Sequence, residues 1–197
     1  TVLYYDHTVA TEGLHLVEFV ADNGITTLRD TFYYAGSPTI KHQDPPEGTL
    51  YGINYMNNST VLLKLFAPGK EFVYVIGDFN NWLPDTTYSM YLANDDTTWW
   101  LQIDNLTPDW RYAFQYWVDG EIKIADPYSE LILDPNNDQS ISSETYPDPH
   151  PYPYGKTSGR ATLIHPGKVP YNWQITDFQP PDKTELIIYE LLVRDFL

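Results

Sequence analysis

Apolar and polar residues alternate with a period of two over much of this chain, the spacing that sends successive side chains to opposite faces of a strand. The run L-H-L-V-E-F-V (14–20) shows it first. Asp22-Asn23-Gly24 follows, and a second β-rich run covers 25–34. Asn-Gly between two such runs predicts a hairpin over 14–34. From residue 52 onward, short strands are expected at 60–66, 72–77, 88–93, 98–104, 111–118, 121–125 and 130–133. Asp119-Gly120 should close a tight turn between two of them. No long stretch carries the 3.6-residue period with helix caps. Seven strands in about 100 residues predict an all-β chain built on an immunoglobulin-like β-sandwich. In 111–118, Tyr112, Phe114, Tyr116 and Val118 fall on one face, expected to be the core. Ala113, Gln115 and Trp117 fall on the other.

The pattern then changes. Eight of the chain's 16 prolines lie between 145 and 181. Proline fixes φ and removes a donor, so an extended strap is expected there. The strap gives way to a nearly continuous apolar run, 186–193, broken by Glu190. Such a run fits a strand buried on both faces, as in a parallel sheet or barrel. The expected division is therefore 1–36, the C-terminal part of an immunoglobulin-like domain; 37–50, a linker; 51–146, the β-sandwich; 147–184, the Pro-rich strap; and 185–197, a further strand.

Composition narrows the partners. Asp and Glu number 27 against 11 Lys and Arg, a net charge of -16. That field repels phosphates, so nucleic acid and anionic membranes are not expected partners, whereas a neutral sugar polymer is indifferent to it. The 197 residues include no cysteine, which excludes disulfides, thiol catalysis and thiolate metal sites. Aromatics reach 16%, led by 17 Tyr. No apolar run approaches the roughly 20 residues of a membrane helix. The chain opens at Thr1 with no signal-peptide pattern, as a processed product or an excised piece would. The compartment stays open, with secretion or the periplasm the readier expectation. His7, His15, His42, His150 and His165 are scattered without ligand spacing, so zinc is not expected. The oxygen-rich stretch 134–139 follows no EF-hand spacing and reads as a solvated turn. No metal and no cofactor are expected.

Specific motifs now bear on function. V-Y-V-I-G-D-F-N-N-W (73–82) resembles the early-strand signature of carbohydrate-binding module family 48. Trp110, Tyr112, Phe114, Tyr116, Val118, Asp119 and Gly120 follow that family's later pattern, and Asp126-Pro127-Tyr128 follows its D-P-Y. The closing I-I-Y-E-L-L-V-R-D-F (187–196) resembles the first barrel strand of glycoside hydrolase family 13, the α-amylase family. The resemblance covers residues 50–197 and extends only loosely to 1–36. It implies the N-terminal accessory region of an α-glucan-acting enzyme of amylase, pullulanase or branching-enzyme type. The 185–197 strand would then be the first stave of a (β/α)8 barrel that the accessory region positions in cis.

Catalysis in that family needs two carboxylates on later barrel strands. No catalytic residue is therefore expected in this chain, and Glu190, Arg194 and Asp195 are read as scaffold. In sugar-binding members of the module family, an aromatic stands where Trp82 stands here, so the resemblance implies glycan contact by Trp82. A basic residue is replaced by Gln115 and a second aromatic by Ile122, and Trp117, on the Gln115 face, would substitute. The competing reading packs Trp82, as a loop-tip aromatic, against the barrel or its own strands. A freestanding, weak α-glucan-binding module without catalysis is the alternative function. A purely structural immunoglobulin-like protein would leave 187–196 unexplained.

Overall fold

The computed structural model describes residues 12–190. The first element is a hairpin of β1 (Gly13–Asp22) and β2 (Thr27–Gly36), paired without a slip from Gly13↔Gly36 to Asp22↔Thr27. Its turn is held by Asn23 Oδ1, which accepts from the backbone N–H of Ile25 at 2.9 Å and of Thr26 at 2.8 Å. Gly24, at φ 81°, takes the left-handed conformation that the Asn-Gly signal anticipates. Among the described residues the ladder joins no other sheet, and Leu16, Phe19, Val20, Leu28, Phe32 and Tyr33 along it are exposed.

Nine further strands build the sandwich: β3 (Gly52–Asn57), β4 (Thr60–Phe66), β5 (Val73–Gly77), β6 (Tyr91–Leu92), β7 (Thr98–Ile103), β8 (Tyr112–Val118), β9 (Ile122–Ile124), β10 (Ile132–Leu133) and β11 (Ala161–Ile164). The first sheet runs β3-β4-β7-β6. The second runs β10-β11-β8-β5, with β9 also paired to β8. All named pairings are antiparallel. Asp119 and Gly120 both have positive φ, 52° and 72°, as the two-residue turn between β8 and β9 requires.

The facing sides of the sheets meet in a core drawn from alternate positions. It includes Val61, Leu63 and Leu65 of β4, Val73 and Val75 of β5, Trp99 and Leu101 of β7, and Phe114, Tyr116 and Val118 of β8. The core face assigned to β8 from its alternation is thus the one buried between the sheets.

Two features depart from the expected division of the chain. β11 lies inside the segment read as strap and inserts between β8 and β10, pairing Thr162 with Phe114 and Leu163 with Ala113. A-T-L-I is too short to show periodicity, and the prolines around it mask it. The second feature is the outer face of the second sheet. Alternation assigned Ala113 and Trp117 to the side away from the core, yet they join Tyr74, Ile76, Trp82 and Leu163 in a second buried cluster. The strap supplies the cover. Trp99 and Trp100 alternate across β7, and whichever of them faces outward is expected to meet the strap; it is Trp100, which stacks on Tyr91 at 5.0 Å and donates from its indole to Gln43 O at 2.6 Å. The linker covers it instead.

After β11 the chain is irregular but for a short 3-10 turn at Lys183–Glu185. Tyr171, Trp173, Ile175, Phe178, Ile188 and Tyr189 are exposed there. Residues 186–190 carry no strand, and Glu190 is exposed. The rest of the expected 185–197 strand, with Arg194 and Asp195, lies outside the described residues.

Candidate functional site

The G-D-F-N-N-W stretch explains the position of Trp82. Gly77 ends β5 because a Cβ there would stand 2.5 Å from Ala113 O, so only glycine fits. A single 3-10 turn, Asp78–Asn80, follows. Asn81 and Trp82 then take positive φ, 55° and 64°, a costly conformation for a bulky residue unless its surroundings fix it. Here they do. The Trp82 N–H donates to Gly77 O at 2.9 Å, and its indole Nε1 donates to Asp78 Oδ1 at 2.9 Å. The loop folds back and buries the ring, leaving Trp82 3% exposed.

Asp78 ties this loop to its neighbours. Its Oδ2 accepts from the Ala113 N–H at 2.7 Å and lies 3.7 Å from His150 Nε2 of the strap. Burial pushes the Asp78 carboxyl up. The nearby His150 imidazole, the Ala113 N–H and the Trp82 indole outweigh it and hold the group below the usual carboxylate range.

Gln115 is fully buried, 0% exposed, two positions along the same face. Its amide Nε2 donates to Ser158 O at 2.9 Å and Arg160 O at 2.7 Å, and its Oε1 accepts from the Thr157 hydroxyl. Trp117 completes the row at 8% exposed, with the Lys123 ammonium 4.9 Å from its ring centre. Tyr152 of the strap packs on the cluster. The structure therefore brings Trp82, Gln115 and Trp117 to one face, under the segment 150–160. None of the three offers a free ring face or a free amide to solvent. Ile122, at the other contact position, is exposed.

Other aromatics are open. Tyr51, Phe66 and Tyr128 form an exposed group, with Tyr51 and Tyr128 nearly parallel at 6.5 Å. Tyr128 is positioned by the buried Asp126, whose Oδ1 accepts its N–H at 2.7 Å. Asp126 Oδ2 also accepts from the Tyr116 hydroxyl at 2.6 Å. Burial pushes both groups up, the Tyr116 phenol furthest.

A cleft of about 350 Å³ opens where the β3 edge of one sheet lies alongside the β10–β11 edge of the other. Tyr55, Arg111, Glu130, Tyr146, His165 and Lys168 contribute to its lining. The β3–β4 register slips by one residue between Tyr55 and Asn57, a bulge at the cleft. The Tyr55 hydroxyl accepts the His165 N–H at 3.1 Å, and burial raises its phenol above the ordinary value. The His165 ring meets Asp109 at 2.8 Å. Arg111 donates to Asp148 O at 2.9 Å. These residues escaped the sequence reading because they come from separate stretches of chain with no shared local pattern.

The 134–139 stretch satisfies itself. Asp134 accepts from the Asn136 N–H, from Arg160 Nε and from Asn137 Nδ2, in that order of effect, which lowers it to about 2. Among the described residues no group of three His, Asp or Glu side chains could hold a metal ion. Nor is any helix there long and apolar enough to cross a membrane.

The comparison with known families falls on this sandwich. Residues 50–129 match the family described as Carbohydrate-binding module 48 (Isoamylase N-terminal domain). The sandwich contains a module-48-like domain. The matched span takes in β3 through β9, including the Trp82 loop and Tyr128, and stops before β10 and β11. No curated protein matches the chain. A crystal structure from Salmonella typhimurium, named "Putative alpha Amylase", is similar at 22% identity over 40% of this chain and 12% of that one, with a TM-score of 0.33.

Proposed function

We propose that this protein is the N-terminal accessory region of an α-glucan-acting glycoside hydrolase and that its module contacts starch, glycogen or a maltooligosaccharide. The observation that carries the reading is the module-48 match over 50–129, on an antiparallel β-sandwich. In this reading 1–36 ends an immunoglobulin-like domain, 37–50 links it to the module, and 185–197 opens the catalytic barrel. The aromatic and aliphatic side chains exposed between 169 and 189 support it, because apolar surface left open to water is what a further domain would cover. No residue of this chain is assigned a catalytic role. Trp82, Gln115 and Trp117 act here as the internal tie between module and strap, and glycan contact by them would require segment 150–160 to lift.

Titration of the full chain with maltoheptaose, followed by heteronuclear NMR, tests the binding function. Saturable shifts at millimolar sugar are expected. Spectra that stay unchanged through that range would refute it. The enzymatic setting is checked separately by the coding sequence downstream of Leu197, where a later strand bearing an aspartate nucleophile is expected.

A further inference from the structure

We infer that the cleft between Tyr55 and Tyr146 is the sugar-binding subsite of this protein, sized for one or two residues of a neutral α-glucan chain. The inference rests on the carbohydrate-binding reading above and gives it a place.

Size comes first. A cleft of about 350 Å³ lies at the lower end of the range used by small-molecule sites. Two partly exposed phenol rings line it, and Leu131 and Leu163 add apolar surface. Tyrosine rings provide flat amphipathic surface for the C–H face of a pyranose at small entropic cost. The bulge in β3 and the hydrogen bond from the His165 N–H hold the Tyr55 ring in place, so little ordering remains for binding to supply.

Charge selects the class of ligand. Arg111 faces Asp148 at 3.6 Å and His165 faces Asp109 at 2.8 Å. Lys168 is opposed in sign by Glu130 on the same lining. Asp148 offsets Arg111 and Glu130 offsets Lys168, so the charges around the lining balance and neither an anionic nor a cationic ligand is favoured. A polyol needs both donors and acceptors without net charge, and these are present. The side chains of Glu130, Tyr146 and Lys168 make no hydrogen bond or ion pair among the described residues, and they remain free for sugar hydroxyls. At the covered face, by contrast, the polar groups of Gln115 and Asp78 are spent on the strap and the neighbouring backbone.

The test is an NMR titration of the full chain with maltotriose. It compares the unaltered protein with Tyr146→Ala, Glu130→Gln and, as a distant exposed aromatic, Tyr128→Ala. Tyr146→Ala should weaken binding about tenfold, the scale of losing one aromatic stacking partner. Glu130→Gln should weaken it by a smaller factor, Tyr128→Ala should leave it unchanged, and the shifted amides should cluster at Tyr55, Leu163 and His165. Maltotriose binding that survives Tyr146→Ala within about twofold, or that falls with Tyr128→Ala instead, overturns the cleft and leaves the carbohydrate-binding reading standing. Failure of the unaltered protein to bind either maltotriose or maltoheptaose overturns both. Glucose 6-phosphate bound more tightly than maltotriose would overturn the neutral-ligand assignment.

Discussion

The covered face of the second sheet and the cleft at the β3 edge are built from the same kinds of side chain. Each combines aromatic rings with amide, carboxylate or cationic groups. They differ in what those groups have left to offer. At the covered face Trp82, Gln115 and Trp117 are buried, and the polar atoms of Trp82 and Gln115 have partners within the chain. At the cleft, Tyr55 and Tyr146 are partly exposed, and Glu130 and Lys168 are unpaired among the described residues. Recognition residues and stability residues can thus look alike in sequence. The distinction lies in whether another segment of the same chain has already occupied the surface. Substitutions at the covered face should therefore act on stability, and substitutions at the cleft on binding.

The largest effect is expected at Trp82. Trp82→Ala removes a buried indole from the second cluster and orphans one acceptor bond of Asp78. Loss of about 3–5 kcal/mol is expected, the usual cost of truncating a large buried aromatic. Chemical denaturation checks it. A variant as stable as the parent, but deficient in sugar binding, would reverse the assignment of the two regions.

Gln115→Leu should come next. Leucine fills most of the volume but leaves the carbonyls of Ser158 and Arg160 and the Thr157 hydroxyl without their partner. About 1–3 kcal/mol is expected, because the strap carbonyls can recover part of their hydrogen bonding from water. Protease sensitivity between 150 and 160 should rise with it. An unchanged cleavage pattern would show that the strap is held by its apolar contacts alone.

Acid should loosen turns by a smaller amount. Asp95 accepts the Thr98 hydroxyl at 2.7 Å and the N–H groups of Thr97 and Thr98 at 2.8 Å each. The Thr98 hydroxyl bond is the largest cause of lowering Asp95 to about 2; burial, next in size, opposes it, and the Thr97 and Thr98 N–H groups add to the lowering. A carboxylate lowered by folding contributes stability above its unfolded value of 3.8, and that contribution fades as the pH falls toward 2. The fall in denaturation midpoint between those limits should be shallower in Asp95→Asn than in the parent. Equal slopes would assign the acid sensitivity to Asp78 and the strap instead.

Strand identity was legible wherever side-chain alternation met a turn signal. The 14–34 hairpin, the 60–66 strand and the Asp119-Gly120 turn follow from local chemistry, and the structure places them there. Burial on the second face of β8 was not legible. Alternation says which residues share a face, but not whether another segment lies across it. Gln115 illustrates the limit, since an amide between Phe114 and Tyr116 reads as solvent-facing until Ser158 and Arg160 are brought to it. β11 was hidden for a related reason. Four residues carry no period, and its pairing with β8 joins positions about 50 residues apart. The cleft is less legible still, because Tyr55, Arg111, Tyr146 and His165 become neighbours only after the sheets have packed.

The smallest stability effect is expected where the binding effect is largest. Tyr146 makes no side-chain hydrogen bond among the described residues and joins neither buried cluster. Truncating such a partly exposed ring removes little buried area, so Tyr146→Ala should change stability by no more than about 0.5 kcal/mol. The same substitution is the one expected to weaken maltotriose most. Thermal denaturation without sugar should therefore superimpose on the parent curve, while the upward shift that saturating maltotriose gives the parent should shrink in the variant. A variant that melts several degrees lower without ligand would place Tyr146 among the structural aromatics, alongside Trp82, and remove the contrast between the two regions.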